Sequence, residues 1–368
     1  MKSVGIKILI TILIIAILVA GGLLVVKILN DNNISVGQIL TGKNEENEET
    51  KVVEIKEPQI FKGTQRPIAV LIDNHKDAMP QANLSKAYMV YEIIVEGGET
   101  RLMALYKGQD LDKIGPVRSS RHYFLDYALE NDAIYVHFGW SPQAKSDITK
   151  LGVNNINGIF YESSKSDSAF WRVKDKSSPH NAVTNTSKIL SIANSLNYRV
   201  TSSQKSVLNY VADDVELESN IIANTVTIPY SDSNTVKYEY DEENKNYIRY
   251  SRNKEQVDWD TKETVTTKNI IITFCKNTTL NDGENKGRQT LDNVKTLNGY
   301  YITNGKAIEI TCEKTTRSGQ TVYKDLDGKE IDVSDGNTFV QICPIDSKVT
   351  FEPGDTSIVE TNNLNEID

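Results

Sequence analysis

Hydrophobic and polar positions divide the chain into stretches of different character. The first is unbroken: from Ile8 to Val26 every residue is apolar or small except Thr11, with Lys2 and Lys7 before the run and Lys27 closing it. A helix rising about 1.5 Å per residue over such a run reaches roughly 28 Å, enough to cross a hydrocarbon core of about 30 Å. Leu23-Leu24-Val25-Val26 carry the run past Ala20-Gly21-Gly22, where a cleaved signal would turn polar. Residues 1–27 are therefore read as an uncleaved signal-anchor; cleavage would still leave an exported protein. The basic N-terminal flank predicts a cytoplasmic N-terminus, with residues 28–368 extracellular behind a single membrane pass. Residues 28–65 are polar, with Asn30-Asp31-Asn32-Asn33 and Lys43-Asn44-Glu45-Glu46-Asn47-Glu48-Glu49, and read as a flexible linker.

Residues 66–200 mix periods. Ile68 to Ile72 is a short apolar run suited to a buried strand, Met89 to Val95 is β-branched and aromatic, and Arg101 to Tyr106 pairs with it through a turn at Gly97-Gly98. Pro116 opens a segment in which Tyr123, Phe124, Tyr127 and Ala128 fall at helical spacing. Ala133 to Phe138 is another strand. Ser141-Pro142 starts a helix that stops at Gly152, and Thr186 to Leu196 is a further helix. Residues 201–350 alternate at period two, as in Val236, Tyr238 and Tyr240 against Lys237 and Glu239, with hairpin turns at Asn304-Gly305 and Asp327-Gly328. The expectation is an α+β protein. A mixed α/β domain over 66–200 precedes a mostly antiparallel β domain over 201–350, a sandwich or open barrel, and 351–368 form a tail.

Charge follows the same division. Residues 66–200 hold 16 Lys and Arg against 14 Asp and Glu, while 201–368 hold 18 against 29. The acidic second part and the lack of a basic, aromatic-interleaved patch exclude a nucleic-acid partner. Cys275, Cys312 and Cys343 are an odd set on predicted buried strands, with no CxxC and no Cys-His cluster. No metal and no cofactor are expected from spacing of this kind.

Candidate chemistry concentrates in 66–141. Asp73-Asn74-His75 follows a buried strand, where layered sheets bind ligands, and reads equally as a helix cap or Asx-turn. Glu92 and Glu96 would share one strand face roughly 13 Å apart, too far for a glycosidase pair at about 5–9.5 Å. Half-apolar surroundings then require a cationic partner, with Arg101 on the next strand the candidate. In Gly115-Pro116-Val117-Arg118-Ser119-Ser120-Arg121, Ser119 is placed as a helix cap with Arg118 and Arg121 in the first turn. They would hold either a phosphate or carboxylate ligand, or the internal acids Glu92, Glu96 and Glu99. Ser141 in Gly139-Trp140-Ser141-Pro142-Gln143 resembles a nucleophile elbow, but Gln143 stands where glycine is needed and Pro142 removes an N–H, so a cap is the better reading. Ser202-Ser203-Gln204-Lys205 is a chance match to SxxK. Ser178-Pro179-His180-Asn181 is a compact polar loop whose histidine is suited to acid–base work or to an ordinary surface position.

Several of these blocks together resemble the YerB-like lipoproteins. They are Arg66-Pro67-Ile68-Ala69-Val70 through Asp73-Asn74, Tyr91-Glu92, Val95-Glu96-Gly97-Gly98 with Thr100-Arg101, Ile114-Gly115-Pro116-Val117-Arg118-Ser119 with Arg121, and Tyr300-Tyr301-Ile302-Thr303-Asn304-Gly305-Lys306-Ala307-Ile308. The resemblance spans roughly 66–345 and implies a bacterial envelope protein with a two-part exported region. It supplies no reaction, because the family is of unknown function. This chain departs from the lipoprotein pattern in lacking the lipidated cysteine, for which a membrane helix substitutes. The functional expectation is a membrane-anchored protein of the cell envelope. It would bind an anionic wall polymer, a phosphorylated envelope ligand or a protein partner through Arg101, Arg118, Ser119 and Arg121, with Asp73, Asn74, His75, Glu92 and Glu96 around them. The alternatives are an enzyme acting on glycan or phosphodiester by carboxylate and histidine chemistry, and a scaffold for other envelope proteins.

Overall fold

The computed structural model describes residues 56–163 and 168–353. The central element among these is a mixed sheet of eleven strands drawn from both halves of the chain. Five come from the first half: β1 (Ile68–Asp73), β2 (Met89–Ile94), β3 (Thr100–Tyr106), β4 (Ile134–His137) and β5 (Asn155–Asn157). The order runs β5-β4-β1-β3-β2 and continues through Thr338–Pro344, Asn269–Cys275, Thr296–Thr303, Lys306–Glu313 and Val322–Lys324, with Ile221–Ile222 added to Lys306–Glu313. The sheet thus crosses the boundary near residue 200, where β2 pairs in parallel with Thr338–Pro344.

The central strands are apolar throughout because both their faces are covered. Ala69 and Leu71 point to one side of β1, Val70 and Ile72 to the other, and all four are fully buried. Fully burying a side chain of this size stabilises by roughly 1.5–3 kcal/mol. On the first face lie the helices Phe124–Glu130 and Pro142–Lys150. On the second lie the helix Thr186–Ser195 and a smaller antiparallel sheet built on Thr225–Ser231, Asn234–Asp241 and Asn246–Ser251. Period-two alternation in these last strands reflects one buried and one open face, as in Val236 and Tyr238.

Much of the predicted layout stands: a mixed, sheet-rich protein with few helices, and the β2–β3 hairpin pairing. The Ser141 hydroxyl accepts from Ala144 N at 3.1 Å and Pro142 opens the helix, so Ser141 is a cap and not a nucleophile. Asn304-Gly305 turns between Thr296–Thr303 and Lys306–Glu313. The second half is not wholly antiparallel, however. Asn269–Cys275 and Thr338–Pro344 run parallel, because the chain crosses over between them through the Thr296–Lys324 strands. Residues 56–65, assigned to the linker for their polarity, dock on the folded body: Gln59 and Ile60 donate backbone N–H groups to Asp335, and Phe61 packs edge-on against Tyr88 at 5.4 Å. Cys275, Cys312 and Cys343 are all free and buried, and burial pushes the Cys275 and Cys312 thiols up to about 12. Among the described residues no helix is long and apolar enough to cross a membrane; the predicted anchor at Ile8–Val26 and the 354–368 part of the tail lie outside them.

Candidate functional site

The carboxyl end of β1 opens where β1 and β4 part. Their pairing ends at Val70 and Val136, and the segment 117–120 fills the gap. Arg118 N donates to Leu71 O at 2.8 Å, Phe138 N to Arg118 O at 2.8 Å, and Ser120 N to Gly139 O at 2.9 Å. This segment is extended, which corrects its reading as a helix start. The helix begins only at Phe124, after Tyr123, and Ser119 instead donates its hydroxyl to Phe138 O at 3.0 Å. Hydrogen bonding to two flanking strands holds 117–120 straight, so Arg118 and Arg121 do not share a helical turn. Gly139 is required beside it: its φ is +82°, and a Cβ there would sit 3.1 Å from Ser119 Oγ.

Asp73 ends β1 and is buried at the centre of this opening. One carboxylate oxygen, Oδ2, lies 2.7 Å from His180 Nδ1 and 3.0 Å from Arg118 Nε; the other accepts from His75 N at 3.1 Å. The His75 and His180 rings stack, with centroids 4.5 Å apart and planes 16° apart. Arg121 grips Glu96 through two contacts, Nε to Oε1 at 2.5 Å and Nη2 to Oε2 at 2.8 Å. Burial would raise the Glu96 carboxyl, but the Arg121 hydrogen bonds and charge outweigh it and hold the group below its usual value. Arg101 lies beneath and donates to Ser119 O. Burial, and then the Arg121 charge beside it, bring its guanidinium down to about 10. Three guanidiniums therefore gather around two carboxylates.

Glu92 and Asn74 belong elsewhere. In the β2–β3 register Arg101 faces Ile93, and Glu92 faces Leu102, so Arg101 and Glu92 lie on opposite sides of the sheet. The expected Glu92–Arg101 pair does not form for that reason. Glu92 is fully buried against Arg249, with Nη2 to Oε2 at 2.6 Å, and accepts from Asn74 Nδ2 at 3.1 Å and Thr100 Oγ1 at 2.7 Å. Glu96 is off the strand altogether, in the turn Glu96–Gly98, so the two glutamates never share a strand face.

Two family models cover most of the chain: the N-terminal domain of a protein of unknown function, DUF3048, over residues 55–199, and the C-terminal domain of the same family over 226–340. The chain belongs to the DUF3048 family. Its similarity to "Putative lipoprotein YerB" of Bacillus subtilis (strain 168) is 30% identity over 282 residues, which is 76% of this chain and 81% of that protein. The crystal structure of the YerB protein from Bacillus subtilis superimposes with a TM-score of 0.68 at 29% identity, covering 78% of this chain and 94% of that one. The resemblance read from the motifs is thus the family relationship.

Within this DUF3048 chain, sequence reasoning offered His180 for acid–base work but did not join it to Asp73, and it passed over Arg249. Neither has a local signal; each reaches its carboxylate across more than a hundred residues of chain. The hollow lined by Thr64, Asp132, Arg199, Thr201, Ser202 and Gln204 lies near the other end of β1, and its Asp132 is taken up by Arg199 at 2.7 Å and Ser202 Oγ at 2.6 Å.

His137, on β4 just behind the site, is fully buried, with Nδ1 2.7 Å from Gly139 O and Nε2 3.1 Å from Asn155 Oδ1. Burial lowers its imidazole from 6.5 to about 4, against those two hydrogen bonds. The unfolded chain thus takes up this proton before the native one does. The associated stability is complete above about pH 6.5 and is lost as pH falls toward about 4, on the order of 3 kcal/mol at about 1.36 kcal/mol per unit. Urea unfolding across that window should show this loss, and His137→Gln should flatten it; an equally steep curve in the variant would refute the assignment.

Proposed function

We propose that the protein is a membrane-tethered, extracytoplasmic envelope protein that binds an anionic ligand at the carboxyl end of β1. One observation carries the binding reading. Among the described residues Arg118 pairs with Asp73, Arg121 with Glu96, and Arg101 lies beside them without an ion pair of its own, so the cluster keeps an excess positive charge. Among the described residues the Arg118 side chain has one ion-pair partner, Asp73, and no aligned hydrogen bond from its Nε. Nε is buried against Asp73, but the Arg118 side chain as a whole is 23% exposed, so a phosphate or carboxylate would be met by the outer guanidinium nitrogens, a fork that binds either in a bidentate manner. The apolar stretch Ile8–Val26 and the lipoprotein wording of the Bacillus subtilis relative's name support the location. Wall polymers and lipid-linked phosphates are the anions abundant there.

Titration with phosphorylated wall fragments tests the reading. Arg118→Ala is expected to weaken binding by roughly 10–100-fold, the equivalent of one charge-assisted hydrogen bond at about 1.5–3 kcal/mol. Arg121→Ala should act in the same direction. Unchanged affinity in both variants would count against the site.

A second reading, acid–base cleavage of envelope glycan or phosphodiester, is favoured by the 2.7 Å contact through which Asp73 orients His180. Glu92 has no part in it, being sealed within its ion pair. Turnover of wall fragments that vanishes in His180→Ala would support this reading, and absence of turnover in the native protein would dismiss it.

A further inference from the structure

We propose that His75, Asp77 and His180 form a binding site for a divalent transition metal of the zinc type. One ligand atom from each of the three lies within 4.8 Å of the other two. His75 and Asp77 flank one short turn: His75 caps Lys76–Ala78 by accepting Asp77 N at its Nδ1, 3.2 Å away. A nitrogen that accepts an N–H carries no proton, and a metal ion would take over its single lone pair by displacing the long 3.2 Å contact from Asp77 N. The Asp77 carboxylate Oδ2 stands 3.5 Å from that same nitrogen. Ligands at about 2.0–2.1 Å around a tetrahedral zinc lie about 3.3 Å apart, so this pair already has close to the required spacing.

His180 completes the set from the other side of the opening. Its Nδ1 is engaged by Asp73 Oδ2 at 2.7 Å, which places the proton on Nδ1 and leaves Nε2 as the ligand nitrogen. A buried carboxylate behind a ligating imidazole is the arrangement that orients such rings and raises their basicity. Asp73 is itself held by Arg118 and by the His75 backbone, so the supporting shell is in place before any ion arrives. His75 is half-buried and Asp77 exposed, so the His75 ring, which stacks on His180 with planes 16° apart, has room to turn out of the stack until its in-plane lone pair and that of His180 Nε2 meet on one ion.

Two imidazoles with one carboxylate select zinc or cobalt over magnesium or calcium, which prefer all-oxygen shells. Three protein ligands leave a fourth tetrahedral position for water or an anion. The inference does not depend on an anion binding at the arginines, although Asp73 is common to both sites.

The test is titration of the chelator-stripped full chain with Zn²⁺ and Co²⁺. The expected result is one ion per chain, with the intense visible absorption of tetrahedral Co²⁺. His75→Ala and His180→Ala should each weaken binding by ~10-fold or more, and Asp73→Asn by ~10-fold through loss of the orienting carboxylate. Asp77→Asn, at an exposed position, reports on the site without touching the core; the melting temperatures of the metal-free variants show that the fold is kept. No stoichiometric binding, affinity unchanged in Asp77→Asn and both histidine variants, or equal affinity for Mg²⁺ would each overturn the proposal.

Discussion

Glu92→Ala is expected to destabilise the protein by about 3–5 kcal/mol, a large share of a typical domain's stability of about 5–15 kcal/mol. Glu92 and Arg249 side chains are both wholly inaccessible, and their contact spans the two halves of the sequence. Around them Arg249 Nε donates to Tyr238 OH at 3.2 Å, Gln341 Nε2 donates to the same hydroxyl at 3.0 Å, and Tyr230 OH reaches Gln341 Oε1 at 3.1 Å and Glu92 O at 3.0 Å. Burial alone would lower the Arg249 guanidinium; the Glu92 charge, with Tyr238, reverses this and holds it above its usual value. Removing the carboxylate strands that cation between Phe339 and Tyr238, with Nη1 already lacking a hydrogen bond. Asn74 and Thr100 lose an acceptor as well. The double change Glu92→Leu with Arg249→Met should recover much of the loss, because an apolar pair of similar volume carries no desolvation cost. Urea unfolding of the single and double variants decides it; a loss under about 1 kcal/mol in Glu92→Ala would contradict a buried, paired charge.

Lys314→Met is expected to cost a comparable amount, about 3–5 kcal/mol, by orphaning Glu130. This is the second buried ion pair between the halves, with Nζ 2.7 Å from Oε2 and side chains that are 2% and 0% exposed. The same carboxylate accepts from Tyr91 OH at 2.8 Å, from Thr321 Oγ1 at 2.6 Å and from Thr321 N at 3.2 Å. Four donors converge on one charge, and Lys314 is its one ion-pair partner among the described residues, so its loss leaves the rest arranged around an uncompensated anion. Adding Glu130→Gln should restore part of the stability, since a neutral amide needs no counter-charge. Glu92 and Tyr91 are neighbours on β2 and point to opposite faces of the sheet, so the Glu92 and Lys314 changes should add with little coupling. Denaturation of the combined variant checks this.

Both pairs bear on how far the fold could be read in advance. Strand and helix positions were legible because they depend on local period: Ile68–Asp73 as an apolar run, Asn234–Asp241 as an alternation, and Ser141-Pro142 as a capped start. The Arg118–Arg121 segment was misassigned because its shape depends on Leu71, Phe138 and Gly139, which hydrogen-bond it from β1 and from the residues just past β4. No periodicity within the segment records those partners. At the site, the arginines, Asp73 and Glu96 were found from their density in the chain, but their pairing was not. Arg101 was matched to Glu92 by strand adjacency, when a one-residue difference in register puts the two on opposite faces.

Residue order alone established the alternation of strands and helices, the family relationship and the concentration of charged groups in 66–141, since each is a property of neighbours along the backbone. Folding settled which charges meet. It joined the two halves in one sheet, gave Glu92 to Arg249 and Glu130 to Lys314, and carried His180 to Asp73 beside His75. Such contacts are made through space between groups far apart in the chain, and burial makes their energies large; neither quantity is written in any local window of residues.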